Sequence, residues 1–174
     1  TAFSEYCRRM MAIPKSSEWI TPDEYLTGEL QAEVRHEYVD GSVYAMAGAS
    51  VDHNRIAGNI FSFLHNTLKG KRCEPFYSDM KVKIPPAFGD VFYYPDVMVA
   101  CDPSDGADHY LERPSIIFEV ISPSTERTDR REKVLTYRQI PSLDVYVLVD
   151  QGRVRVTVLR RAEPGWKTEI VEGL

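Results

Sequence analysis

The chain has 174 residues, of which 43% are apolar and 27% charged, and its formal net charge is −5. No apolar run approaches the length of a membrane span, and the negative charge disfavours a passive nucleic-acid coat, which binds by neutralising phosphates. The length suits one domain with a hydrophobic core, so we expect a single domain over residues 1–174 with a peripheral N-terminal extension over 1–18.

The first half of the chain predicts a short helix, a hairpin and a longer helix. Thr21 can cap a helix over residues 22–29, with a proline at its first position. Asp40-Gly41 is typical of a tight turn between two strands. Ser50 can cap the longer helix, whose apolar residues recur at helical spacing until Gly70.

The second half of the chain is richer in predicted strands. The runs 73–85, 91–101 and 115–122 have strand character, 122–140 predicts a helix, 143–161 predicts a hairpin turning at Gln151-Gly152, and 165–171 predicts an edge strand. In the helix, Val134, Leu135 and Tyr137 or Ile140 are expected to face inward. The fold class is therefore α/β (α+β), a mixed central β-sheet flanked by helices.

The cysteines give no metal or crosslink pattern. Cys7, Cys73 and Cys101 are odd in number, lie far apart and form no CxxC pair, so structural zinc and a disulfide framework are disfavoured. The N-terminus lacks the basic-then-apolar pattern of a signal peptide. We therefore expect free thiols in a protein located in the cytoplasm.

Two acidic residues interrupt strand-like runs. Asp96 lies in "YYPDVMV" and Glu119 in "SIIFEVIS". A lone buried carboxylate is costly, and two that converge would repel each other unless a divalent cation lay between them. Mg²⁺ prefers such hard oxygen ligands. Each residue also has a simpler explanation: Asp96 as a turn residue, and Glu119 as the partner of a buried arginine such as Arg55 or Arg138.

Taken together and in order, these segments resemble a known family. The segments "EYVDGSVYAMAGAS", "HNRIAGNI", "YYPDVMV", "RPSIIFEVISPSTERTDRREKVLTY" and "VYVLVD" are similar to the PD-(D/E)xK nuclease superfamily. More narrowly they resemble a bacterial family of restriction endonucleases, formerly a domain of unknown function, over about residues 18 to 160. The resemblance implies a restriction-endonuclease-like αβββαβ core and Mg²⁺- or Mn²⁺-dependent hydrolysis of phosphodiesters. It implies that Asp96 and Glu119 bind the metal, that DNA is the substrate and that the protein acts as a homodimer.

The sequence departs from the superfamily motif at one catalytic position. The motif expects a lysine two residues after the second acid, where this chain has Ile121. We prefer Lys133, on the following helix, as the replacement, although a solvated helical lysine is the simpler explanation. Lys81 and Lys83 share one strand face and are competing donors, and both could instead lie on the surface or contact the DNA backbone.

Other residues near these motifs are candidates with weaker support. Glu37 could reach a metal-bound water or merely face Arg35 or solvent. His53 could touch a phosphate, act as a proton shuttle, or make a structural hydrogen bond. A basic patch could hold DNA phosphates or form a solvated helical face, and it comprises Arg127, Arg130 and Arg131.

Two classes of function remain open from the sequence. The first is an endonuclease in which Lys133 replaces the missing lysine. The second is a catalytically inactive binding module for nucleic acid or protein, because a fold does not guarantee an activity. A hydrolase acting on another phosphoester is a third reading. Solvent exposure of Lys133 and separation of Asp96 from Glu119 would favour the binding module.

Overall fold

Two mixed β-sheets share one hydrophobic core in the computed structural model, which describes residues 19–85, 89–102, 104–122 and 128–173. The side chains of residues 128–130 lie outside this description. The expected N-terminal extension over 1–18 lies outside it as well.

The first half of the chain folds as its local signals predict. Helix α1 (Pro22–Glu29) begins at Thr21, which exchanges capping hydrogen bonds with Glu24. Strands β1 (His36–Val39) and β2 (Ser42–Ala45) form a hairpin. Its turn residues, Asp40 and Gly41, both have positive φ, which this type of tight turn requires. Helix α2 (Val51–Leu68) begins at the predicted cap, Ser50.

A five-stranded sheet contains this hairpin. Its other strands are β4 (Lys81–Ile84), β5 (Val91–Tyr93) and the short β7 (Tyr110–Leu111). The strand order is β2-β1-β5-β4-β7, and only the β4–β7 pair is parallel among these described strands. The predicted fold class, mixed sheet with flanking helices, is confirmed, and the division of the strands into two sheets adds to it, because strand pairing is set by tertiary contacts rather than by the local pattern.

A six-stranded sheet forms the centre of the expected nuclease-like core. Its strands are β3 (Glu74–Tyr77), β6 (Val97–Ala100), β8 (Pro114–Ile121), β9 (Val145–Asp150), β10 (Arg155–Arg161) and β11 (Trp166–Glu172). The order is β11-β10-β9-β8-β6-β3, with β8 and β9 parallel and β11 at the edge as predicted.

The parallel pair needs a crossover connection, which contains a π-helical turn (Thr128–Lys133) and helix α3 (Val134–Tyr137). When the strands of the five-stranded sheet are set aside, the chain runs through helix α2, strands β3, β6 and β8, helix α3 and strand β9, which is helix, three strands, helix and strand. This is the predicted αβββαβ order.

The core corrects one expectation about which apolar residues are inward. Val134, Tyr137 and Ile140 are buried as predicted, but Leu135 is 44% exposed, since neighbours along a helix point in different directions. The aromatic residues Phe92, Tyr93 and Tyr94 are also buried.

The expectation of free thiols is wrong for two of the cysteines. Cys73 and Cys101 form a disulfide, with their Cα atoms 3.9 Å apart. Cys73 directly precedes β3 and Cys101 directly follows β6, and the antiparallel register pairs Glu74 with Ala100. The two cysteines are thus neighbours across the strands despite a sequence separation of 28, and nothing in that spacing reveals the contact.

Within the described residues, no helix combines the length and the apolar character needed to cross a bilayer.

Candidate active site

The two acidic residues that interrupt the strands lie opposite each other. Strands β6 and β8 are antiparallel, and Val97 pairs with Phe118. Continuing this register by one residue puts Asp96, just before β6, opposite Glu119, near the end of β8. The sequence predicts that these acids come from neighbouring strands, and the register confirms it.

Asp96 is held by backbone and side-chain contacts together. Its Oδ2 accepts a hydrogen bond from the Val120 backbone N–H at 2.7 Å and lies 3.2 Å from His53 Nε2. His53 occupies the first turn of α2, where its backbone N–H donates to the cap hydroxyl of Ser50. The start of α2 therefore brings an imidazole against the first acid.

Glu119 lies in a cluster of buried polar groups. Its side chain receives hydrogen bonds on Oε1 from the Tyr137 hydroxyl at 2.8 Å and from Lys133 Nζ at 3.3 Å. Lys133 Nζ also lies 2.8 Å from Glu37 Oε1 on strand β1. Lys133, which is only 7% exposed, thereby joins an acid from each sheet, and the solvent-facing position that would favour a binding module is not observed.

Tyr137 is protonated in this cluster. Burial, and then the negative charge of Glu119, raise the pKa of the Tyr137 hydroxyl well above its ordinary value. Since a protonated hydroxyl is the donor that Glu119 needs, the pair is chemically matched. From the sequence, Tyr137 was expected only in the core, although its spacing of four residues from Lys133 puts both on one helical face.

The simpler explanation for Asp96 agrees with its place in the bend just before β6, where it also makes the contacts described above. The two arginines considered for Glu119 have other contacts: Arg55 pairs with Asp52 on the surface of α2, and the Arg138 guanidinium lies over the Trp166 ring. Arg35, the alternative partner of Glu37, instead pairs with Asp79.

The side chains of the acid pair and of their neighbours line one cavity of about 830 Å³. The predicted residues that line it are Asp96, Glu119, Lys133, Glu37 and His53. Both sheets and the start of α2 therefore contribute ionisable groups to one open cleft, which is the arrangement expected of a polar active site.

The other predicted DNA contacts lie elsewhere or were not described. Lys81 is 5% exposed and its Nζ donates to the Tyr94 hydroxyl at 3.2 Å, so the expectation that it lies on the surface is wrong. Lys83 Nζ lies 3.6 Å from Glu112. Arg131 is exposed, whereas Arg127 and the side chain of Arg130 lie outside the described residues.

A second buried polar cluster adjoins the cavity and was missed by the sequence analysis. Glu29, on the last turn of α1, accepts hydrogen bonds from the Tyr94 hydroxyl at 2.8 Å and from the His36 backbone N–H at 2.8 Å. Burial raises the pKa of Tyr94 and lowers that of Lys81. No sequence signal joins these residues, because their contacts depend on the pairing of α1 with distant strands.

The donor set at the acid pair fits a hard cation. Asp96 and Glu119 supply carboxylate oxygens at the same end of adjacent strands. The described residues contain no group of three or more His, Cys, Asp or Glu side chains arranged to hold a metal ion. A pair of carboxylates, completed by water and phosphate oxygens, is a donor set that Mg²⁺ commonly takes.

Comparisons with known proteins agree with this architecture. A Synechocystis protein named "Uncharacterized protein slr1290" is 36% identical over 147 residues, which cover 84% of this chain and 76% of the relative. A second Synechocystis protein, "Uncharacterized protein sll1609", is 36% identical over 149 residues, covering 84% of this chain and 83% of that protein.

A solved structure has the same fold. It is described as "a putative nuclease belonging to DUF820" from Anabaena variabilis ATCC 29413. The TM-score is 0.70 with 23% identity, over 88% of this chain and 85% of that one. The profile of the Uma2 family, described as "Putative restriction endonuclease", matches residues 22–174. With the profile match, the curated relatives and the nuclease-like fold in agreement, this chain belongs to the Uma2 family.

Proposed function

We propose that the protein is a Mg²⁺- or Mn²⁺-dependent endonuclease that hydrolyses DNA phosphodiester bonds. The observation that carries this proposal is the placement of Asp96 opposite Glu119, with Lys133 in contact with Glu119 and Glu37 inside the same cavity. The family description and the nuclease-like fold support it.

Asp96 and Glu119 are the residues that would hold the metal. When bound there, Mg²⁺ would polarise the scissile phosphate and lower the pKa of a bound water. The Val120 N–H and the Tyr137 hydroxyl orient one oxygen of each carboxylate. Such supporting contacts fix the direction in which ligands point and are commonly needed for metal affinity.

Lys133 replaces the missing motif lysine in this proposal. The motif position, Ile121, is a buried apolar residue and offers no charge. The ammonium of Lys133 sits among carboxylates in a largely buried site, where its charge is screened less than in water. It can orient the attacking water and stabilise negative charge that develops on the phosphate.

Glu37 and His53 act on the two sides of the acid pair. Glu37 fixes the Lys133 ammonium from the opposite sheet. His53 contacts the Asp96 carboxylate and lines the cavity, from which it can exchange a proton with a leaving group. The four ionisable residues besides Glu119 thus have separate tasks. Asp96 binds the metal, Lys133 stabilises charge, Glu37 positions Lys133, and His53 exchanges a proton.

Two further proposals concern the assembly of the protein and its location in the cell. A homodimer would bring two sites to the two strands of a duplex. The protein would act in the cytoplasm, where a disulfide such as Cys73–Cys101 would be unusual, because thiols there are kept reduced. Light scattering of the purified protein tests the dimer, and thiol labelling in freshly lysed host cells tests whether the cysteines are reduced.

The decisive experiment is a cleavage assay on plasmid and single-stranded DNA with Mg²⁺, Mn²⁺ or EDTA. Asp96→Asn, Glu119→Gln and Lys133→Gln are each expected to lower the cleavage rate by about 100-fold or more, because each removes charge from the reacting centre. EDTA is expected to abolish cleavage.

Matched controls come from the edge strand β11, where Lys167 and Glu169 are exposed. Lys167→Gln and Glu169→Gln should cut at the wild-type rate. Wild-type cutting that persists in Asp96→Asn would contradict the assigned site, and nucleic-acid binding without any cutting in either metal would favour the binding module.

A further inference from the structure

Two side chains on the rim of the cavity have no part in the acid site. Arg35 precedes β1, and Tyr77 ends β3 at the edge of the six-stranded sheet. Both line the cavity, as does Ser78 between them. The chain thus presents a guanidinium and an aromatic ring beside the proposed metal site.

Tyr77 is an exposed aromatic residue with a fixed orientation. Its side chain is 53% exposed, and its ring centroid lies 4.3 Å from that of Phe61 on α2, with 39° between the ring planes. Phe61 covers one side of the ring, so the exposure falls on the rest. Because the ring is already packed from behind, a second flat group can stack on it at a low cost in side-chain entropy.

Arg35 is anchored through one nitrogen. Its Nη1 donates to the Ser78 carbonyl at 2.9 Å and lies 3.0 Å from the exposed carboxylate of Asp79. The guanidinium also lies 5.7 Å from the centre of the Tyr94 ring. Among the described residues, the polar contacts of Arg35 all use Nη1. The fork formed by its other nitrogens is therefore available, and that fork matches the geometry of a phosphate.

Ser78 connects these two side chains to the acid pair. Its backbone has a φ of +61°, a left-handed conformation that is uncommon for residues other than glycine. Its N–H donates to the Asp96 carbonyl at 3.2 Å, while its own carbonyl holds Arg35. The strained turn thus fixes the rim relative to Asp96, and such conformations are often retained at functional sites.

We propose that Arg35 and Tyr77 form a subsite for one unpaired nucleotide next to the scissile phosphate, an inference that rests on the proposed nuclease function. The base stacks on Tyr77 and a neighbouring phosphate meets Arg35. In a duplex the faces of a base are covered by its neighbours, so stacking on a protein ring needs an unpaired or extruded base. The protein therefore prefers single-stranded DNA, or DNA with unpaired bases, over a fully paired duplex.

The test measures fluorescence anisotropy of a labelled 12-nucleotide single strand and of a blunt hairpin duplex. Ca²⁺ replaces Mg²⁺, and gels verify that the strands stay intact. Tyr77→Leu keeps an apolar contact with Phe61 but removes the π-face. It should weaken single-strand binding by roughly 5- to 150-fold, with a change in duplex binding of less than about 3-fold. Tyr77→Phe should bind like the wild type.

Arg35→Gln tests the phosphate contact separately. It should weaken single-strand binding and reduce the slope of log K against log salt by about 0.7, the value for one phosphate contact on a single strand. There are two matched controls. Phe63→Leu removes an exposed aromatic residue that lies on α2, and Arg160→Gln removes an exposed arginine of β10. Both should bind like the wild type.

The outcomes separate this inference from the proposed function. Suppose that the wild type cleaves or binds DNA, but Tyr77→Leu shows no selective loss of single-strand binding. This result would overturn the subsite and leave the proposed function intact. An equal loss for single strand and duplex would also overturn it, as would equal effects of Phe63→Leu. If the wild type neither binds nor cuts any DNA, the nuclease proposal fails first and the subsite fails with it.

Discussion

Two buried clusters among the described residues contain the same three kinds of side chain, yet they differ in what surrounds the carboxylate. The candidate-site cluster consists of Lys133, Glu119 and Tyr137. The second cluster consists of Lys81, Glu29 and Tyr94. In the first, lysine and tyrosine both donate to the same carboxylate oxygen, at 3.3 and 2.8 Å. In the second, the tyrosine hydroxyl stands between the lysine and the carboxylate.

The carboxylates of the two clusters also have different surroundings. Glu29 receives two contacts from His36, through the backbone N–H and the ring, in addition to the tyrosine. Glu119 lies opposite a second acid and lines the cavity. A buried lysine, glutamate and tyrosine therefore do not mark a reacting centre by themselves. Tyr94 lines the same cavity, so the feature that separates the two clusters is the second carboxylate, Asp96, opposite Glu119.

The largest difference in DNA cleavage between the two clusters is expected when the lysine of each is replaced. Lys133→Met should lower DNA cleavage by about 100-fold or more, because the site loses its nearby cation. Lys81→Met should leave the cleavage rate within about 3-fold of wild type, since its ammonium bonds Tyr94 rather than an acid of the site. Thermal melts of both variants verify folding. Equal losses of cleavage in two folded variants would remove the distinction.

The tyrosines should differ in metal binding. Tyr137→Phe deletes the donor to Glu119 without changing the ring, so Mn²⁺ affinity should fall by about 10-fold. Tyr94→Phe deletes the donor to Glu29 and should leave Mn²⁺ affinity unchanged. Isothermal titration calorimetry with Mn²⁺ alone measures both. A loss of the same size in Tyr94→Phe would show that the two clusters act as one unit.

The smallest expected effect concerns stability and pH. Burial lowers the pKa of Lys81, so the charged lysine costs folding free energy at neutral pH. Lys81→Met should therefore be more stable than the wild type at pH 7, by about 1 kcal/mol. Lys81 loses its proton more readily in the folded than in the unfolded wild type. The free energy of unfolding of the wild type therefore rises relative to that of the variant as the pH approaches the ordinary lysine pKa.

Urea unfolding at a series of pH values measures this difference. The advantage of the variant should shrink between pH 7 and about pH 10, with the unfolded lysine titrating near its reference value. An advantage that grows with pH would mean that the Glu29 charge, rather than burial, dominates at Lys81.

The parts of the fold that depend on short stretches of sequence could be predicted. Thr21, Asp40-Gly41 and Ser50 fix their elements by local capping and turn chemistry. The two acids could also be predicted, because a carboxylate within an apolar strand is costly wherever the strand pairs. Lys133 could be proposed because a helix that follows a strand can return over its end.

What could not be predicted depends on register and on contacts between distant segments. Cys73 and Cys101 become neighbours only through the β3–β6 pairing, and nothing in their spacing indicates it. The contacts of Lys81 with Tyr94, and of Tyr94 with Glu29, join residues from β4, from the position just after β5 and from α1. A strand pattern shows which residues share a face, but it does not show which face is covered.

The crosslink between Cys73 and Cys101 has a consequence for local opening of the chain. Strand β3 is the outermost strand of its sheet and has a hydrogen-bonded neighbour on one side only, so its ends would be expected to fray. The disulfide holds the end of β3 remote from Tyr77, and the hydrogen bond from the Ser78 backbone N–H to the Asp96 carbonyl holds the other end. Amide protons over residues 74–77 should consequently exchange with deuterium more slowly in the oxidised protein than after reduction by dithiothreitol.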